Sequence, residues 1–289
     1  MNRVLIIGSA TIDLVRQPHS SATKMGGVVT YGGLTFRKQG ISTAVLTNLS
    51  ARDASSFRTL YRGCGIDLDA GPSNATTTFV DHVEGDTRWQ ELLAVAVPIT
   101  ATQVVAATVG ADHIHLGPLH PTDIHYNALT LLTGLGIPVS LDVQGYLRSP
   151  HLGRVEVMVS EHLPLALSAS TYVKASRDEL VTILNAGYLN DERFMHTFGI
   201  DELLITAGGR GGEILLASGE RVRYDAALPA QVMDPTGAGD VFFAAYLGAR
   251  LHDGRTVLDS CAIAATIAGQ HVAGLYLTES CLALPESSL

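Results

Sequence analysis

Cysteine is scarce in this chain. Cys64, Cys261 and Cys281 are too few and too scattered for a disulfide framework, and none sits in a paired metal-ligand spacing. A reducing, cytoplasmic setting is the expectation. Basic residues are few as well: 19 Lys and Arg stand against 28 Asp and Glu, for a formal net charge of −9. No basic surface exists that would neutralise a run of phosphates, so nucleic acid is excluded as a partner, and any anionic cofactor must be met by local donors. Long apolar runs are missing too. Residues 4–7, the run nearest the N-terminus, are shorter than a signal-peptide core or a membrane span, so no membrane partner is expected. No internal repeat or low-complexity linker divides the chain, which is read as one domain over residues 1–289. The three-glycine dinucleotide fingerprint is also absent, because Gly8-Ser9-Ala10 follows the first apolar run; this disfavours a dinucleotide oxidoreductase.

What is present is apolar: 46% of the 289 residues, enough for a large core without staples. Short runs rich in branched residues fall at 4–7, 43–46, 113–116, 139–141, 172–174 and 203–206, and read as strands buried on both faces. Helical spacing fills 54–63, 123–134, 177–185 and 191–198, so strand and helix alternate. That order predicts an α/β fold with a doubly wound, mostly parallel sheet flanked by helices, whose ligands gather at the carboxyl ends of the strands. Two segments break the pattern. Residues 14–35 are polar and glycine-rich, and residues 75–98 alternate around the turn Glu84-Gly85-Asp86; both are read as strands of a small β lid, with an ordinary surface hairpin as the alternative. Residues 239–251 and 256–272 are alanine-rich and predict a helix pair against the sheet.

One stretch carries chemistry. Asp234-Pro235-Thr236-Gly237-Ala238-Gly239-Asp240 runs directly into the helix-favouring residues 241–247. Gly237, Ala238 and Gly239 let backbone N–H groups approach an anion closely, and the helix dipole adds partial positive charge there. Asp240 falls in the first turn, where a carboxylate accepts a proton from an attacking hydroxyl. A plain helix-start aspartate is the competing reading.

This stretch resembles the C-terminal signature of the ribokinase-like (PfkB-type) carbohydrate kinases, matched at Asp234, Thr236, Gly237, Ala238, Gly239 and Asp240. The resemblance implies that Asp240 is the catalytic base, that Gly237, Ala238 and Gly239 hold the transferring phosphoryl group, and that Thr236 belongs to the cofactor site. Other matches spread along the chain. Asp13, and the pair Gly32-Gly33, are similar to the family's substrate-binding aspartate and glycine pair; taken alone, Asp13 is equally a loop cap. The loop Thr206-Ala207-Gly208-Gly209-Arg210-Gly211 resembles the strand-end loop that touches the nucleotide, through Thr206, Gly208, Gly209 and Gly211. In residues 174–179, Ser176 stands where the family usually has asparagine, so only Glu179 is carried over, as the residue organising magnesium; Ser176 and Glu179 also have the spacing of a capping box. Arg148, in residues 142–148, is the side-chain candidate for stabilising charge on the transferred group, with a surface arginine as the alternative.

The resemblance implies ATP and Mg2+ as cofactors, leaves a monovalent cation open, and points to a sugar or polyol substrate such as myo-inositol or ribose. Residues 173–179 look closest to the inositol-kinase-like branch. A nucleoside kinase of the same fold, and a sugar- or polyol-binding sensor without catalysis, are the other readings; retained Asp240 speaks against the sensor. A homodimer through the lid is also open. His113, His115, His120 and His125 cluster but lack the acid and cysteine partners of a transition-metal site, and one or two are read as lining the substrate pocket instead. Trp89, the single tryptophan, falls in the lid, where it would cover the substrate.

Overall fold

A computed structural model describes residues 1–17, 20–84, 87–187 and 190–284. Gly85 and Asp86, the centre of the turn expected in the lid, lie outside the described residues.

The first strand, Arg3–Gly8, shows how the sheet forms. Successive side chains leave a strand on opposite faces, and here Val4 and Ile6 enter one hydrophobic cluster while Leu5 and Ile7 enter the other. All four are at most 1% exposed, so a continuous apolar run is buried on both sides, at roughly 1.5–3 kcal/mol for each side chain. Nine strands make this sheet, in the order Arg221–Tyr224, Gly212–Leu216, Glu202–Thr206, Tyr172–Ser176, Val139–Asp142, His113–Gly117, Arg3–Gly8, Ser42–Ser50 and Asp67–Ser73. The first two pair antiparallel and the other seven are parallel. From Arg3–Gly8 the chain builds outward to Ser42–Ser50 and Asp67–Ser73, then returns to His113–Gly117 and builds the other way. Strand order therefore reverses between Arg3–Gly8 and His113–Gly117, and a crevice opens at their carboxyl ends.

The second sheet is the lid. Its strands run Gly153–Arg154, Thr87–Ala94, Thr77–Glu84, Thr11–Gln17 and Ser20–Gly26. The lid segment expected at 14–35 needs correction: its strands begin at Thr11 and end at Gly26, and Val28–Lys38 is a helix of the main body. Every residue from Val28 to Phe36 is buried, so an apolar surface on all sides overrides the glycines that suggested a loop. At the C-terminal end, Ala238–Leu247 is buried after its first turn, with the Tyr246 hydroxyl donating to Glu202, and runs into a wider π-type turn at Gly248–His252; Val257–Val272 packs against it.

Candidate active site

A cleft of about 630 Å³ lies between the lid, the carboxyl ends of the parallel strands and the start of the helix Ala238–Leu247. That helix begins at Gly237, whose φ of 76° is left-handed and whose Cβ position would lie 2.5 Å from the Tyr31 ring. Only glycine fits there. No side chain caps this N-terminus; the Ala238 N–H turns back to the Pro235 carbonyl at 3.2 Å, and the Gly239 and Asp240 N–H groups of the first turn are left to an anion in the cleft. Pro235 to Asp240 all line the cleft, which brings together the predicted Thr236, Gly237, Ala238, Gly239 and Asp240.

Asp240 is half-buried and faces the cleft. Burial, followed by the charge of Asp142, pushes its carboxyl up to about 7, with Lys174 and Arg148 pulling back. Asp13 lines the same cleft and is likewise raised, to about 6, mainly by burial; the Thr11 hydroxyl, which donates to its Oδ1 at 2.8 Å, opposes this. Two carboxylates of shifted acidity thus share one cleft, each in reach of the other's field.

Arg148 is half-buried and lines the cleft. Its guanidinium donates to the Leu119 carbonyl at 3.3 Å and to Gln90 Oε1 at 3.0 Å, and lies 5.0 Å over the Phe79 ring. No ion pair within 4.0 Å is seen for it among the described residues, which suits a cation kept for a ligand anion.

Sequence reasoning missed two groups here. Lys174 lines the cleft, pairs with Asp142 at 2.5 Å and is only 6% exposed; Gly239 packs against it, with its Cβ position 3.2 Å from Nζ. Burial alone would discharge this amine, but Asp142, Glu179 and Asp240 hold it charged. The strand position of Lys174, between Val173 and Ala175 at 0% exposure, was the available signal: a lysine inside a buried strand needs a carboxylate. The second group is the pair Gly26-Gly27. A Cβ on Gly26 would lie 1.9 Å from Asp13 Oδ2, and Gly27, at φ 89°, lines the cleft and precedes the helix Val28–Lys38.

Gly32 and Gly33, predicted at the substrate, are placed elsewhere. They are buried inside that helix, with Gly32 toward His115 and Ala244 and Gly33 toward Ile6, Val45 and Ile66. Neither lines the cleft, because the chain has already become helical at Val28. Thr206, Gly208, Gly209 and Gly211 also stand apart from it. They form the turn between Glu202–Thr206 and Gly212–Leu216, and Gly209 adjoins Leu228, which lines a second, apolar cleft of about 400 Å³ with Met233 and Leu275. Glu179 completes the capping box, its Oε2 accepting the Ser176 N–H at 2.7 Å while Ser176 Oγ accepts the Glu179 N–H at 3.2 Å. It lines a small cavity that shares Gln144, Arg148 and Val155 with the main cleft.

The histidines do not line the main cleft, contrary to expectation. His113 and His115 meet at the Ser140 hydroxyl in the core, at 2.9 and 2.8 Å, and His120 bonds the Pro150 carbonyl. Among the described residues no group of three or more His, Cys, Asp or Glu is placed to hold a metal by itself. Trp89 lines the cleft, its ring stacked on His82 at 3.7 Å.

The sequence profile of the pfkB family carbohydrate kinases matches residues 1–281, and the chain belongs to that family. It is therefore a carbohydrate kinase, a phosphotransferase with a hydroxyl acceptor, within a group whose members act on sugars and nucleosides. The aminoimidazole riboside kinase of Salmonella typhimurium is 26% identical over 256 residues, covering 84% of this chain and 79% of that one. A pyrophosphate-dependent kinase of the ribokinase family, solved with a pyrophosphate analogue and myo-inositol, superposes with a TM-score of 0.80 at 21% identity, over 93% of this chain and 94% of that one. Ribokinase of Arabidopsis thaliana, solved with ribose and ATP, superposes with a TM-score of 0.75 at 19% identity, over 99% and 97%. No helix among the described residues is long and apolar enough to cross a membrane.

Proposed function

We propose that the protein transfers the γ-phosphoryl group of ATP to a hydroxyl of a neutral sugar or polyol, with Asp240 as general base. One observation carries this reading: Asp240, its carboxyl raised to about 7, sits in the first turn of an uncapped helix N-terminus that opens on the same cleft as Asp13. The acceptor oxygen attacks the γ-phosphorus, an O–P bond forms, the bond to the β-phosphate oxygen breaks, ADP leaves and the hydroxyl proton passes to Asp240. The N–H groups of Gly237 and Gly239, with Ala238 holding the turn between them, and the cations of Lys174 and Arg148 meet the charge on the transferred group. Asp13 holds acceptor hydroxyls, and Gly26 gives its carboxylate room. The apolar second cleft beside Gly209 suits the nucleoside part of the donor.

Magnesium would neutralise the donor phosphates, with Glu179 reaching it through water by the oxygen that the capping box leaves over. Asp142 fits this less well, because Lys174 takes Oδ2 and the Gln144 N–H takes Oδ1. A sugar or polyol is favoured over a nucleoside because the aromatic rings in the cleft already carry protein groups: Arg148 lies over Phe79, His82 stacks on Trp89 and Gly237 packs on Tyr31. A base would find no ring prepared for it.

The test measures phosphoryl transfer from ATP, and separately from pyrophosphate, to myo-inositol, ribose, fructose and nucleosides, for wild type and Asp240→Asn. Transfer from ATP to a sugar or polyol, lost at least a thousandfold in the variant while the acceptor still binds, is the expected result. Transfer to nucleosides alone, or acceptor binding without transfer in wild type, would replace this reading with a nucleoside kinase or a sensor. Productive pyrophosphate with inert ATP would change the donor and leave the base in place.

A further inference from the structure

Thr236, the residue before the left-handed Gly237, spends each of its polar groups on a different part of the molecule. Its N–H donates to Asp234 Oδ1 at 2.9 Å, within the same loop. Its carbonyl lies 2.8 Å from Nε2 of His271, on the helix Val257–Val272. Its Oγ1 accepts from Arg88 Nη2 at 2.7 Å, and Arg88 belongs to the lid strand Thr87–Ala94. The first bond shapes the loop itself, the second holds it to the main body, and the third joins it to the lid.

Arg88 is set up for that contact by the lid itself. Asp81, 1% exposed on the neighbouring strand Thr77–Glu84, places Oδ1 3.5 Å from Arg88 Nη2 and accepts Gln90 Nε2 on the same oxygen at 2.7 Å. The guanidinium thus stands between a buried lid carboxylate and a hydroxyl of the phosphoryl-binding loop. A second tie runs parallel to it: Lys24, on the lid strand Ser20–Gly26, pairs with Asp234 of the same loop. Both residues of the loop touched from the lid lie within three positions of Gly237.

We propose that Arg88 is a positioning residue that joins lid closure to assembly of the phosphoryl-binding loop, through its bond to Thr236 Oγ1. The inference rests on the kinase reading above and adds a coupling to it. With the lid down over an acceptor, Arg88 fixes the side chain of Thr236, and the following N–H groups are held at the angle that receives the phosphoryl group. With the lid raised, that restraint is gone, and phosphoryl transfer to water is disfavoured when no acceptor is bound.

The test is a double-mutant cycle on transfer kinetics with Arg88→Met, which keeps the stem and loses the donors, and Thr236→Val, which keeps the shape and loses the hydroxyl. Each single variant is expected to lower kcat about tenfold to a hundredfold and to leave the acceptor KM within about threefold, since one charge-assisted hydrogen bond to the transition-state assembly is removed. The double variant should be no worse than the poorer single one, and Thr236→Ser should restore the rate. Losses that multiply in the double variant, or a change confined to KM, would overturn the coupling.

Thr236→Val leaves the Arg88–Asp81 contact untouched, so its own kinetics and exchange test the bond even where Arg88→Met fails to fold. Amide hydrogen exchange, read without any activity, is expected to quicken in Thr77–Glu84 and Thr87–Ala94 of Thr236→Val. Equal exchange in wild type and variant would show that the bond does not hold the lid. A wild type that transfers phosphate to no acceptor defeats the kinase reading, and exchange alone then decides the tie.

Discussion

Asp13 keeps its place in the cleft because its neighbour has no side chain. A methyl on Gly26 would overlap Asp13 Oδ2, at 1.9 Å, and approach Thr11 Oγ1 at 3.0 Å, so the carboxylate and the hydroxyl that bonds it would both be displaced. Gly26→Ala is therefore expected to cost about a hundredfold in kcat/KM for the acceptor, the usual penalty for moving a binding group by an ångström, with ATP binding little changed. Gly32→Ala should behave in the opposite way. Its Cβ position meets nothing closer than 3.8 Å in the middle of a helix, so thermal unfolding is expected to shift upward, by about 0.5–1 kcal/mol in stability, with unchanged kinetics. Kinetics and melting curves of the two variants, side by side, check both. The contrast also marks what the sequence could and could not say about the site. Two Gly-Gly pairs lie six residues apart, and composition does not tell them apart; what separates them is that Gly26-Gly27 ends a strand and begins a helix, whereas Gly32-Gly33 falls inside one. The 234–240 stretch was legible because its glycines, its acid and the apolar run after it all describe one local event, a helix start. Lys174 was not, because its partner Asp142 is distant in sequence and adjacent only through strand pairing.

Among the elements, two strand ends and one helix start determine the protonation of Asp240. The strands Val139–Asp142 and Tyr172–Ser176 pair with Lys174 opposite Asp142, so their ion pair forms at the sheet's carboxyl edge, under the first turn of Ala238–Leu247. Asp142 pushes the Asp240 carboxyl up and Lys174 pulls it down, after the larger effect of burial. A base must be ionised to act, so kcat/KM is expected to rise with pH through about 7 and level off above it. Replacing Asp142 by Asn removes the charge that opposes ionisation of Asp240 and releases Lys174 toward it, so the acid limb should move to lower pH even as the rate falls. A pH profile of the two proteins measures this, and a limb that stays in place would mean that another group controls it. Element positions themselves were read closely from periodicity, since the parallel strands are buried on both faces and announce themselves as unbroken apolar runs. The lid boundary at 14–35 was the exception. Gly32 and Gly33 within residues 28–36 look like a loop by propensity, and only the packing of that stretch against the sheet on one side and Ala238–Leu247 on the other makes it a helix.

For the molecule as a whole, the central sheet contains two groups that make it sensitive to acid. His113 and His115 sit two residues apart on the strand His113–Gly117, at 1% and 0% exposure, sharing the Ser140 hydroxyl and packed against Tyr172, Phe36 and Phe243. Burial pushes both imidazoles down to about 3; the neighbouring ring adds to this for His113, and Lys174 for His115. Both rings are thus neutral at physiological pH, and one serine oxygen can serve them as donor to one and acceptor from the other. The unfolded chain protonates its histidines near 6.5, far above the folded value, so between about 6.5 and 3 the unfolded state binds the extra protons. Stability is then full above pH 6.5 and declines as the pH falls through that window, by a few kcal/mol for each ring if the fold persists to its lower end. Urea midpoints should accordingly drop between pH 7 and pH 4.5, while imidazole NMR signals of the folded protein stay in the neutral form until it unfolds. Rings that titrate near 6.5 in the folded state would show that water reaches the sheet centre, and would remove this account of acid sensitivity. The strand that carries them also forms one wall of the crevice where strand order reverses, so opening of the sheet there by acid should abolish acceptor binding in the same pH range in which the midpoint falls.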